Sequence, residues 1–215
     1  MTLHADALLF DNDGTLLSSM ESVYRCWARW AGEYGITEAD FAAVELHGRP
    51  AAEIIADLLP EEVRAAALAR IERLEVEDVA GGVVALPGTK ELLSALPAGR
   101  WAVVTSATRP LAEARLREVG IDFPELVAAD DITRGKPDPE PFLLAAARLG
   151  VDPARCVVFE DAPAGLAAGR AAGMRTVALT TTHRADELVA DVVVRDLSAV
   201  SVQVTADGLV IDTNG

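Results

Sequence analysis

Short, β-rich apolar runs recur along this chain at residues 5–10, 101–104, 126–128, 156–159, 176–179 and 192–194, with helix-like segments between several of them. Runs this brief and this continuously apolar read as strands covered on both sides rather than strands with one wet face. The alternation therefore predicts an α/β fold of βα units, with a parallel sheet buried on both faces by flanking helices.

Residues 18–86 break that pattern. Val23, Trp27, Trp30 and Tyr34 stand at three- and four-residue spacing and form one apolar helical stripe. Further helices are expected at about 50–59 and 61–79, and no strand is evident in the block. The expected organisation is a catalytic core made of 1–17 and 87–215, with an all-helical domain of 18–86 inserted after the first strand. Gly81-Gly82 and Pro87-Gly88 are expected to mark the return hinge. Toward the C-terminus, 202–204 and 209–211 flank Thr205-Ala206-Asp207-Gly208, a hairpin signal with no evident role.

With 215 residues, 51% hydrophobic and 25% charged, the chain has ample material for a core. A net charge of −15 repels phosphodiester backbones and anionic membranes, so neither nucleic acid nor membrane is expected as a partner. Asp6 and Asp11 interrupt the apolar start and no apolar stretch reaches spanning length, so neither a signal peptide nor a membrane segment is expected, and the cytoplasm is the expected compartment. Cys26 and Cys156 are expected to be reduced and structural. No feature fixes an oligomeric state, and a monomer is compatible with the sequence.

The chemistry concentrates where apolar runs end. Asp11 and Asp13, in Asp11-Asn12-Asp13-Gly14-Thr15, stand at the carboxyl end of the first run, where open α/β sheets place their ligand crevice. Two carboxylates this close repel unless a proton or a cation intervenes, and a hard cation such as Mg²⁺ suits them. Read alone, the string is equally an ordinary acidic turn. Gly14 permits a sharp bend, and the Thr15 hydroxyl is expected to hydrogen-bond locally.

A second run, Val103-Val104-Thr105-Ser106-Ala107, ends in hydroxyls; Ser106 and the following backbone N–H groups, beginning at Ala107, suit a phosphate oxygen. Lys136 lies in Gly135-Lys136-Pro137-Asp138-Pro139 and is one of only two lysines, with Lys90. An ammonium fixed there would offset both carboxylate and phosphoryl charge. Glu160-Asp161 follows a further run; a helix cap and a metal ligand are both open readings for Asp161.

The order Asp-x-Asp-Gly-Thr, strand-end Ser106, loop Lys136 and Glu160-Asp161 resembles the haloacid dehalogenase superfamily over nearly the whole chain. Residues 101–108 (WAVVTSAT), 135–142 (GKPDPEPF) and 157–169 (VVFEDAPAGLAAG) look like its branch of sugar-phosphate, glycerol-phosphate and 2-deoxyglucose-6-phosphate phosphatases. The resemblance implies a Rossmann-like core with a helical cap and a small phosphorylated metabolite as substrate. It implies that Asp11 attacks phosphorus, that Asp13 protonates the leaving oxygen and then activates water, and that Ser106 and Lys136 bind phosphoryl oxygens. Mg²⁺ would be held by Asp11, the Asp13 carbonyl and Asp161, with Glu160 acting directly or through water. Asn12, at a position often apolar in relatives, and Ser18, where many carry Asp, depart from the pattern without touching a catalytic role.

Within the superfamily, dehalogenases lack the second aspartate, which Asp13 supplies here, and phosphonate hydrolysis needs a cap lysine, whereas 18–86 contains none. A phosphatase is therefore expected. The rivals are a sugar-phosphate mutase, which shields its aspartyl-phosphate from water, and a catalytically silent module that binds a phosphorylated ligand. His47 and Arg49, in His47-Gly48-Arg49-Pro50, are the candidate substrate contacts of the cap, with a structural histidine and a surface arginine as the alternatives.

Overall fold

The computed structural model describes residues 1–42 and 51–213. By internal contacts the chain divides into two compact units, Met1–Ser18 with Val84–Gly215, and Ser19–Val83. The first unit opens with strands β1 (Thr2–Ala5), β2 (Ala7–Phe10) and β3 (Leu17–Ser18). The second consists of helices α1 (Met20–Glu33), α2 (Glu38–Ala42), α3 (Ala51–Leu58) and α4 (Glu61–Glu77). The chain then runs through β4 (Val84–Ala85), α5 (Thr89–Ser94), β5 (Trp101–Val104), α6 (Arg109–Glu118), β6 (Leu126–Val127) and α7 (Glu140–Leu149). It ends with β7 (Cys156–Glu160), α8 (Pro163–Ala171), β8 (Arg175–Leu179), β9 (Val192–Val194), β10 (Val200–Thr205) and β11 (Gly208–Thr213).

The first unit is built on a six-stranded sheet in the order β6-β5-β2-β7-β8-β9. Every pairing in it is parallel. β2, β5 and β7 are buried at every position, which is why their sequences are continuous apolar runs rather than alternating ones. Ala7 and Leu9 of β2 pack with Val158 of β7 and with Phe142 and Ala146 of α7 on one face. The aromatics of the sheet touch as well, with Phe10 stacked on Phe159 at 4.9 Å between ring centres. The chain leaves and re-enters this unit through a two-stranded ribbon in which Leu17 pairs with Ala85 and Ser18 with Val84.

The sequence hairpin is present as β10 and β11, and its place in the fold is now defined. β11 pairs on its other side with β1, giving an antiparallel sheet β1-β11-β10. β1 is absent from the sequence expectation because only Leu3 and Ala5 of its four residues face inward.

The helical unit has its own core. In α1 the buried residues are Ser22, Cys26, Trp27, Trp30 and Ala31, and in α4 they are Ala67, Ile71 and Leu74, each set on one helical face. Trp30 is fully buried and donates its indole N–H to the Ala67 carbonyl at 2.9 Å, so its one polar atom is satisfied. The predicted stripe belongs to this core, with Val23 and Tyr34 at its partly buried margin. Both cysteines are buried thiols, and burial pushes that of Cys156 up to about 11. Among the described residues no helix is long and apolar enough to cross a membrane.

Candidate active site

The parallel sheet sets the site. With β5, β2, β7 and β8 adjacent, their carboxyl ends lie side by side and deliver, in that order, Ser106, Asp11, Glu160 with Asp161, and the Thr181-Thr182 loop. Asp11 extends β2 by one more backbone bond, its N–H donating to the Phe159 carbonyl at 3.0 Å. The chain then turns over Asn12, whose carbonyl accepts from Leu16 N at 2.9 Å and Leu17 N at 3.1 Å. Gly14 has φ +96°, and a Cβ there would also collide with the Asp161 carboxylate, so glycine is required by conformation and by space together.

Carboxylate oxygens of Asp11, Glu160 and Asp161 lie within 4.8 Å of one another, and all three residues are buried. One ammonium serves them. Lys136 Nζ donates to Asp11 Oδ1 at 2.5 Å, to Glu160 Oε1 at 2.8 Å and to the Val104 carbonyl at 3.0 Å. Its stem passes Phe142, with Nζ 5.2 Å from the ring centre. The Lys136–Pro137 peptide bond is cis.

The charge balance is uneven in a way that decides the site's chemistry. Burial pushes the Asp11 carboxyl well above the usual carboxylate range; Lys136 pulls it back, while Glu160 and Asp161 push it further up. Burial and the adjacent Glu160 raise Asp161 to about 6. Burial alone would lower the Lys136 ammonium, yet Asp11 and Glu160 hold it above the ordinary lysine value. Burial is the largest influence on both acids, and the sharing of one ammonium among three carboxylates adds to it, leaving the acids under-compensated and the cation over-compensated. A buried cluster of hard oxygen donors with surplus negative charge fits a divalent cation.

Asp161 does not cap α8. The helix follows Ala162, which makes no side-chain cap, and it is Glu160 Oε2 that accepts the N–H groups of Asp161 at 2.9 Å and Ala162 at 2.8 Å. The Asp161 carboxylate instead accepts from Thr15 Oγ1 at 3.1 Å and from Thr182 Oγ1. The expected local bond of Thr15 is thus replaced by one that crosses the sheet, and Thr181 Oγ1 similarly donates to the Gly14 carbonyl.

The remaining predicted residues fall into three groups. Asp13 shares the turn with Asp11, but its carboxylate lies outside the acidic cluster and pairs with Arg115 Nη1 at 3.0 Å. Ser106 is exposed at the end of β5, and the neighbouring Ala107 N–H donates to Thr105 Oγ1 at 3.1 Å, a neutral partner that an anion could replace. His47 and Arg49 lie outside the described residues. Sequence reasoning missed Thr182 and Arg115. The strand-end rule would have found the first, since Thr180-Thr181-Thr182-His183 ends a run as Glu160-Asp161 does. Arg115 left a fainter trace, a charge four residues after Leu111 on the inward face of α6.

A family model of haloacid dehalogenase-like hydrolases matches residues 5–173. The chain belongs to that family. Hexitol phosphatase A of Escherichia coli K12 is 38% identical over 97% of this chain and 99% of its own length. Validoxylamine A 7'-phosphate phosphatase of Streptomyces hygroscopicus subsp. limoneus is 40% identical over 89% of this chain and 94% of its own. Among solved structures, CbbY from Rhodobacter sphaeroides in complex with xylulose-(1,5)bisphosphate superposes with a TM-score of 0.76 at 27% identity, covering 90% of this chain and 95% of that one. As a haloacid dehalogenase-like hydrolase, the chain is an enzyme whose acidic cluster lies at the strand ends of a Rossmann-like parallel sheet.

Proposed function

We propose that this hydrolase is a Mg²⁺-dependent phosphatase of small sugar or polyol phosphates that works through an aspartyl-phosphate on Asp11. The observation that carries the reading is the buried cluster of Asp11, Glu160 and Asp161 around the Lys136 ammonium. Sugar-phosphate phosphatases among its relatives support the substrate class.

The steps follow from the residues. The Asp11 carboxylate attacks phosphorus as the bond from phosphorus to the alcohol oxygen breaks. Asp13 gives its proton to the departing oxygen, then takes one from the water that attacks the acyl phosphate, which releases inorganic phosphate and restores Asp11. Lys136, already fixed by Asp11, Glu160 and the Val104 carbonyl, offsets charge between nucleophile and phosphoryl group. Ser106 and the Ala107 N–H bind phosphoryl oxygens. Asp11, Asp161 and the Asp13 carbonyl, with Glu160 alongside, would hold Mg²⁺, which would supply neutralisation of the surplus carboxylate charge and of the phosphate dianion.

On sequence resemblance alone, the helical unit is proposed as the cap, with His47 and Arg49 as substrate contacts. Two buried thiols fit a reducing compartment, and the cytoplasm is the proposed site of action.

Phosphate release across sugar, polyol, nucleotide and two-carbon phosphates, with Mg²⁺ or with chelator, tests the reading. The expected result is Mg²⁺-dependent turnover of a sugar or polyol phosphate, lost in Asp11→Asn. Isomerised sugar phosphate with little free phosphate would make the protein a mutase. Binding without turnover of any member would make it a silent module.

A further inference from the structure

Both oxygens of the Asp13 carboxylate are held by donors from the core unit. Oδ1 accepts from Arg115 Nη1 at 3.0 Å and Oδ2 accepts from Asn12 Nδ2 at 3.2 Å. The Arg115 side chain is 6% exposed and that of Asp13 28%, so the guanidinium has been taken out of water while the carboxylate keeps access to it. A surface ion pair would leave both partners wet. Desolvating an arginine is costly unless it is paired, and α6 spends on it a position in a face that otherwise buries Leu111, Ala112 and Leu116. Asn12 is equally out of place for a core position: it is fully buried and its Oδ1 has no hydrogen-bond partner among the described residues. An apolar side chain there would leave nothing unsatisfied. What the amide adds is its Nδ2 donation to Asp13.

We infer that Arg115 and Asn12 are positioning residues that clamp the Asp13 carboxylate in the orientation from which it exchanges a proton with the departing alcohol oxygen. The inference rests on the phosphatase reading above. Neither residue touches the reacting atoms. A guanidinium stays charged and donates only, so it fixes an oxygen without competing for the proton in transit. The clamp matters most when the leaving group must be protonated. An alkoxide needs the proton as its bond to phosphorus breaks, whereas p-nitrophenolate departs without one.

The test compares kcat/KM, with Mg²⁺ present, for p-nitrophenyl phosphate and for the best turned over of glycerol 1-phosphate, sorbitol 6-phosphate and glucose 6-phosphate. Arg115→Met is expected to lower the alkyl value about 100-fold, the scale of a general acid's contribution, and the p-nitrophenyl value less than about 5-fold. Asn12→Leu should show the same selectivity at about 10-fold, and Arg115→Lys should recover part of the loss. In an Asp13→Asn background, adding Arg115→Met should cost no more than about 2-fold, because the clamp then has nothing to orient. Equal losses on both substrates, or full multiplication of the losses in the Asp13→Asn background, would overturn the inference. If Arg115→Met does not fold, Arg115→Lys and Asn12→Leu carry the comparison, and a lack of leaving-group selectivity in both overturns it as well. A wild-type protein that hydrolyses neither kind of ester overturns the phosphatase reading itself.

Discussion

At the scale of residues, the Asp11-Asn12-Asp13-Gly14-Thr15 turn gathers functions that its sequence spacing cannot separate. Asp11 enters the acidic cluster, whereas Asp13 stands outside it and pairs with Arg115, 102 residues along the chain. That split depends on a side chain supplied by α6, so no local pattern could reveal it. Thr182 shows the same dependence on tertiary placement. Its hydroxyl donates to Asp161, and together with Thr15 it orients that carboxylate from two sides. Thr182→Val keeps the shape and removes the donor. The variant should lose about 10- to 100-fold in Mg²⁺ affinity, the usual cost of deleting a partner of a metal ligand, with a melting temperature close to the wild-type value. Titration of activity and of heat against Mg²⁺ reads the affinity, and a thermal melt in chelator reads the stability. Gly165→Ala should be less well tolerated, because a Cβ at that position would run into the Glu160 carboxylate, itself 2% exposed and tied to two backbone N–H groups. A loss of about 1–3 kcal/mol is expected from denaturant unfolding, with weaker Mg²⁺ binding alongside.

Among elements, legibility followed burial. β5, β7 and β8 were readable as apolar runs because they are buried along all or nearly all of their length, β9 as a run of valines although only Val194 is buried, and α1, α3 and α4 were readable from spacing. β1 was not, since its alternation spans only four residues and its reason to be a strand is β11, two hundred residues away. The β3–β4 ribbon was missed for a related reason: two-residue strands carry no period. In the helical unit, Trp30 ties α1 to α4 through packing and through its bond to Ala67. Trp30→Ala should cost about 3–5 kcal/mol and loosen this unit first. Hydrogen exchange would then show protection lost in 19–83 ahead of the parallel sheet; uniform loss across the chain would contradict a separate core.

For the whole molecule, the under-compensated carboxylates imply a dependence of stability on pH and metal. Asp161 binds its proton more tightly when folded, at about 6 against 3.8, so its contribution to stability falls as pH rises between those values. Asp11 acts in the same direction. Carboxylates held low by arginines or backbone donors, such as Asp6, Asp131 and Asp191, make their contribution by about pH 4 and add no slope above it. Lys136, held high, loses its contribution only at strongly alkaline pH. In chelator the melting temperature should therefore drop by several degrees from pH 5 to 7.5, and Mg²⁺ should restore more at pH 7.5 than at pH 5. A flat or rising profile in chelator would contradict the surplus charge.

The central claim is that Asp11 carries the phosphoryl group during turnover. Rapid acid quench of the Mg²⁺-loaded enzyme mixed with its best sugar or polyol phosphate, followed by peptide mass analysis, tests it directly. The account predicts a phosphoryl group on the peptide containing Asp11 that disappears as free phosphate accumulates and is absent from Asp11→Asn. Steady phosphate release with no phosphorylated peptide, or with the group on another residue, would contradict it.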